Sequence, residues 1–89
     1  MLGSLHTQDY AHFRMLLVQA REATGLTQVE LSRKLGRPQS FVSKYENGER
    51  RLDVIEFIYV CDALAINANS ILNQLKSQQR PTIRSQKGN

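Results

Sequence analysis

Tryptophan is missing from this sequence, only six residues are aromatic, and one cysteine, Cys61, is present among 89 residues. A lone cysteine cannot close an internal disulfide, and this one falls inside an apolar run, where a small thiol packs as core. With so few rings, the core has to be built from Leu, Ile, Val and Ala between short helices. No apolar run reaches the roughly eighteen residues of a membrane span, and no basic segment leads into an apolar signal region at the amino terminus. The expectation by default is a cytoplasmic, nucleoid-associated protein with no membrane partner.

Catalytic apparatus is lacking as well. There is no metal-ligand spacing, no nucleophile set beside a base and no glycine-rich phosphate loop; His6, His12 and Cys61 are what remains to consider. Histidines so placed near a loose end read as solvated surface residues, and a thiol in a central helix has no activating neighbour. A protein that is not an enzyme, with no metal and no cofactor, is expected.

What is present is one core's worth of chain, with its charge unevenly placed. The formal charge is +4, yet residues 1–75 carry eight Lys/Arg against eight Asp/Glu, so the excess sits in Lys76, Arg80, Arg84 and Lys87. Within the balanced part, Arg33, Lys34, Arg37, Lys44, Arg50 and Arg51 are opposed over their stretch only by Glu46 and Glu49. A dipolar domain with one basic face follows, which suits a solvated surface or a nucleic acid. The organisation is read as an extension over 1–7, a domain over 8–75 and a basic tail over 76–89. Pro81 and an isolated Ile83 give that tail too little apolar surface to offset ordering, so disorder is expected there.

Periodicity divides the domain into helices. Phe13, Leu16, Leu17, Ala20 and Thr24 recur at spacings of three and four ahead of Gly25, which predicts a helix over 8–24. Thr27 with Glu30 forms a capping pair and Leu26 can staple against Leu31, so a second helix starts at Thr27 and Gly36 stops it. Pro38 presets a helical angle, Val42 and Tyr45 share a face and Asn47-Gly48 closes the segment, which predicts a third helix over 38–46. Asp53 with Glu56 and Leu52 with Phe57 repeat the entry device for a fourth helix. Its apolar positions Val54, Ile55, Ile58, Cys61, Leu64 and Ala65 cover much of the circumference, and it is expected to be the central buried helix. Ile71, Leu72 and Leu75 mark a last short helix over 69–75, able to finish the core or to offer surface to another protein.

Residues 27–48 thus hold two short helices joined by a tight turn, which is what a helix-turn-helix requires. If Val42 and Tyr45 point inward, Gln39, Ser40, Phe41, Ser43 and Lys44 divide among the exposed faces of the third helix. Glutamine matches the adenine edge, lysine donates to guanine acceptors, and serine bonds either a base or a phosphate. Gln39 is the first candidate for direct readout. The Phe41 ring can contact a thymine methyl group or cover neighbouring side chains.

The string Thr27-Gln28-Val29-Glu30-Leu31-Ser32-Arg33-Lys34-Leu35-Gly36, followed by Val42-Ser43-Lys44-Tyr45-Glu46-Asn47-Gly48, resembles the lambda repressor and Cro type of helix-turn-helix, the XRE-like family. The resemblance covers about residues 12–75. It implies an all-α, five-helix bundle that binds double-stranded DNA through its helix-turn-helix. By that resemblance Gln28 holds a phosphate, Gln39 reads an adenine, Ser40 and Lys44 read adjacent bases, and Arg21 pairs with Glu46 as a structural ion pair. The loop carrying Asn47, Gly48, Arg50 and Arg51 would follow the phosphate backbone, with Arg37 as a further phosphate contact. A sequence-specific transcriptional regulator, a repressor acting as a homodimer, is the expectation. The competing reading is an antitoxin or adaptor that keeps this fold and grips a protein partner through helix 69–75 or the tail.

Overall fold

The computed structural model describes residues 2–77; residues 78–89, which hold most of the basic tail and the expectation of disorder attached to it, lie outside the described residues. The described chain is an all-α, five-helix bundle of α1 (Leu2–Thr24), α2 (Gln28–Lys34), α3 (Ser40–Glu46), α4 (Val54–Ala63) and α5 (Ala68–Lys76), and no strand occurs among the described residues. No single described helix is long and apolar enough to cross a membrane.

The two entry devices form as capping boxes. At α2 the Thr27 hydroxyl accepts from the Glu30 amide at 3.0 Å while the Glu30 carboxylate accepts from the Thr27 amide at 2.9 Å. At α4 the Asp53 carboxylate accepts from the Glu56 amide at 2.7 Å, and Glu56 returns the bond to the Asp53 amide at 3.0 Å. Each satisfies amide groups that a helix start leaves without partners.

Two boundaries differ from those read in the sequence. The helix of α1 runs back to Leu2, where a start at residue 8 was expected. Periodicity shows only where a helix meets the core, whereas the backbone continues for as long as nothing breaks it, since propagation fixes one residue per bond gained. Conversely α3 begins at Ser40, two residues after the expected Pro38. Gln39 already has helical angles, φ −61° and ψ −20°, but Pro38 and Gln39 belong to the turn.

In the core, α1 packs against α3 and α5 and contributes Leu16 and the fully buried Leu17 beside buried residues of α3 and α4. The expectation of α4 as the central buried helix is corrected. Phe57, Val60, Cys61 and Leu64 turn inward, while Val54, Ile55, Ile58 and Tyr59 are 68%, 57%, 40% and 60% exposed. A ten-residue helix packed against a small bundle can bury one stripe only, at spacings of three and four, however apolar the rest of its surface is. Cys61 lies in that stripe, and its burial pushes the thiol up to about 11.

Three helices end in the same Schellman pattern. Glycine takes the left-handed position after α2, Gly36 at φ +67°, and after α3, Gly48 at φ +82°. After α4 the position is filled by Ala65 at φ +59°, with the Ile66 amide donating to the Cys61 carbonyl and the Ala65 amide to the Asp62 carbonyl, both at 3.0 Å. An L-residue held left-handed costs roughly 1–2 kcal/mol, of which glycine's larger unfolded entropy would cancel about half. Ala65→Gly is therefore expected to stabilise the fold by about 0.5–1 kcal/mol in a urea titration. Val60→Ala is expected to cost at least about 1 kcal/mol and Ile55→Ala well under 0.5, which checks which stripe of α4 is buried.

Candidate nucleic-acid interface

Glu46, the last residue of α3, is tied to two other helices. Its carboxylate accepts from Arg21 through Nε at 2.8 Å and Nη2 at 3.0 Å, and from the Gln28 side-chain amide at 2.7 Å. The Arg21 and Glu46 side chains are only 12% and 5% exposed, and Nη1 of Arg21 donates to the Leu26 carbonyl at 2.8 Å. Bonding to Glu46 raises the Arg21 pKa, so its charge is permanent. From α1, Arg14 donates to the Glu46 backbone carbonyl at 2.7 Å, and its guanidinium lies where a side chain on Gly48 would point. The end of α3 is thereby joined to α1 and to the start of α2.

The other end of α3 is held by Ser32. This fully buried serine donates to the Gln39 carbonyl at 3.3 Å and accepts from the Val42 amide at 3.1 Å, so a hydroxyl on α2 bonds the first turn of α3 directly. The burial of a hydroxyl is tolerated because both of its bonds are made.

Between these fixed ends α3 is two-sided. Phe41, Val42, Tyr45 and Glu46 are buried; Gln39, Ser40, Lys44 and Asn47 are exposed and Ser43 is half-buried. Residues 40, 43, 44 and 47 recur at helical spacing, so with Gln39 they form one outward row. The Ser43 hydroxyl donates to the Ser40 carbonyl at 3.1 Å, and no side-chain bond engages Gln39 or Lys44 among the described residues.

Phe41 does not belong to that row, and its placement on an exposed face is corrected. The residue is 7% exposed and edge-on to Tyr45 with centroids 5.6 Å apart, so its ring covers neighbouring side chains. Two guanidiniums lie over it, Arg37 at 4.5 Å and Arg50 at 4.9 Å from the centroid. Both also bind Glu56, at 2.7 Å each. Arg51 stacks on Tyr10 at 4.2 Å, and the Tyr10 hydroxyl accepts from the Leu52 amide at 2.9 Å. The arginines read in the sequence as phosphate contacts thus stand around α3 on aromatic supports. Gln28, read the same way, has one amide hydrogen committed to Glu46.

Four residues of this frame were not singled out in the sequence: Arg14, Tyr10, Ser32 and, beyond its capping role, Glu56. Ser32 had a visible signal, a polar residue next to Leu31 on the face that Leu31 and Leu35 bury. The other three act across 32 to 42 residues or through a second use of an already assigned side chain. Among the described residues no group of His, Cys, Asp and Glu could hold a metal ion.

Glu46→Ala would leave the Arg21 guanidinium buried and uncompensated, and is expected to cost on the order of 3 kcal/mol by urea denaturation. The Glu56 carboxyl is held down at about 2, from an ordinary 4.5, chiefly by the hydrogen bonds from Arg50 and then by the Asp53 amide. The folded state binds this proton more weakly than the unfolded chain, so the stability concerned is complete above pH 4.5 and disappears as the pH falls towards 2. The acid limb of a stability profile should be shallower for Glu56→Gln than for the wild type.

The helix-turn-helix family matches residues 17–69. Among solved structures, an XRE-family like protein from Pseudomonas syringae pv. tomato str. DC3000 superimposes with a TM-score of 0.82 at 47% identity, over 85% of this chain and 93% of that one. No curated protein matches the chain. The chain belongs to the XRE-type helix-turn-helix family of DNA-binding regulators.

Proposed function

We propose that this chain is a sequence-specific transcriptional repressor that inserts α3 into the major groove of double-stranded DNA and acts as a homodimer. The observation that carries this reading is the outward row of α3: Gln39 and Lys44 have no side-chain partner among the described residues, on a helix whose opposite face is buried. Gln39 pairs with an adenine edge, Lys44 with guanine acceptors, and Ser40 and Ser43 with adjacent bases or phosphates. Gln28, Arg37, Asn47, Arg50 and Arg51 contact the phosphates and set register without reading sequence. Residues 8–75 form the DNA-binding unit, between a short extension and a basic tail. One α3 covers one half-site, so a second copy reads the other about one helical turn away. Such a regulator works on the nucleoid in the cytoplasm.

Selection of a random-site DNA pool, followed by fluorescence anisotropy on the enriched sequence, tests the proposal. A roughly palindromic site is expected, bound with steep salt dependence. On that site Lys44→Ala should cost about 1–3 kcal/mol and relax preference at one position, while Arg51→Ala should weaken all sequences alike. Equal losses on every sequence for Lys44→Ala would remove it from the readout. No binding at any salt would refute DNA recognition by this chain and favour a protein partner.

A further inference from the structure

Arg37 and Arg50 come from opposite ends of α3, one from the turn before it and one from the loop after it, and they meet at a single carboxylate. Oε2 of Glu56 accepts from Nη2 of Arg37 and from Nη2 of Arg50, both at 2.7 Å, while Oε1 accepts from Nη1 of Arg50 at 2.9 Å and from the Asp53 amide at 3.0 Å. The Phe41 ring lies against both guanidiniums. Glu56 is the deeper partner, 16% exposed against 40% for Arg37 and 38% for Arg50. The carboxylate therefore stands behind two guanidiniums that both keep exposed side-chain surface, with Arg50 also donating from Nη1 to the Arg51 carbonyl at 3.1 Å. Two positive charges and one negative leave this cluster with a net +1.

Phosphate affinity depends on that net charge more than on the number of arginines present. Each phosphate neutralised releases counterions and adds about 0.9 to the slope of log K against log salt. A carboxylate bonded to the same guanidiniums competes with the phosphate and lowers the positive potential that attracts it. It faces none of the side chains in the outward row of α3, so it has no means of distinguishing one base pair from another.

We infer that Glu56 attenuates DNA binding: by engaging Arg37 and Arg50 together from behind, it removes about one phosphate's worth of sequence-independent affinity while leaving base preference untouched. The inference rests on the DNA-binding reading given under Proposed function. It gives this acidic residue a second task besides its cap on α4, and it makes Glu56 the residue that sets how tightly the protein holds random DNA.

Glu56→Gln isolates the charge, because glutamine at this position still accepts from the Asp53 amide in a capping box. With folding confirmed by thermal melting, the variant and the wild type are titrated by anisotropy against the selected site and against random duplex across a fourfold range of salt. The variant should bind both DNAs more tightly by the same factor, with a slope steeper by about 0.9, so that it loses roughly threefold more affinity over that range. Glu56→Asp, which keeps the charge, should return the slope towards that of the wild type. An unchanged slope, or equal weakening on both DNAs by a folded Glu56→Gln, overturns the inference while wild-type binding leaves the DNA reading standing. Wild-type protein that binds neither DNA sinks the DNA reading itself. If Glu56→Gln does not fold, nitrogen-15 spectra of the wild type decide: the Arg37 and Arg50 Nε–H signals must move together when random duplex is added, and unmoved signals overturn the inference.

Discussion

A carboxylate at the end of α3 carries more of this structure than any apolar contact. Glu46 is 5% exposed at its side chain and would be costly to bury alone, since an unpaired charge in such a place loses several kcal/mol of hydration. The cost is offset only while Arg21 and Gln28 reach it at 2.7–3.0 Å. The same bonds fix the angle between α1, α2 and the end of α3. A helix of seven residues has too few turns to hold its own orientation, so its direction has to be imposed from outside. Ser32 imposes it at one end, and Glu46 with Arg14 at the other.

Phe41 connects that frame to the charged surface. Its ring packs edge-on against Tyr45 inside, and its outer side carries Arg37 and Arg50. The guanidinium heads themselves lie over the aromatic face, which limits the freedom of both side chains. Arg51 on Tyr10 repeats the device. The arginines next to α3 in the chain are thus organised by Phe41, Tyr10 and Glu56.

The other half of the bundle is less economical. α4 exposes Val54, Ile55, Ile58 and Tyr59, and its end is closed by Ala65 in a conformation that glycine adopts more readily. Strain and exposed apolar surface are tolerated where the bundle is held by the inward stripe of Phe57, Val60, Cys61 and Leu64 alone.

Local chemistry made much of this legible in advance. Both capping boxes need only residues three apart, so Thr27–Glu30 and Asp53–Glu56 announce the starts of α2 and α4 by themselves. The glycines after α2 and α3 announce their ends. The Thr27 to Gly48 string carries the family resemblance, and with it the expectation that Arg21 and Glu46 meet. The row of Gln39, Ser40, Ser43 and Lys44 follows from helical spacing once Val42 and Tyr45 are inside. Burial of individual faces did not follow. Phe41 and the outer side of α4 are apolar in both cases, yet one is covered and the other is not, because burial depends on which helices pack nearby and not on a residue's own hydrophobicity. The partners of Glu56, Arg14 and Tyr10 were equally hidden, since a charged or hydroxyl side chain many residues away gives no periodic signal. The sequence by itself determined where α2 and α4 begin, where α2 and α3 end, and the outward row of Gln39, Ser40, Ser43 and Lys44 on α3. Only the tertiary structure decided which charges meet, because ion pairs form between neighbours in space and the chain order does not record them.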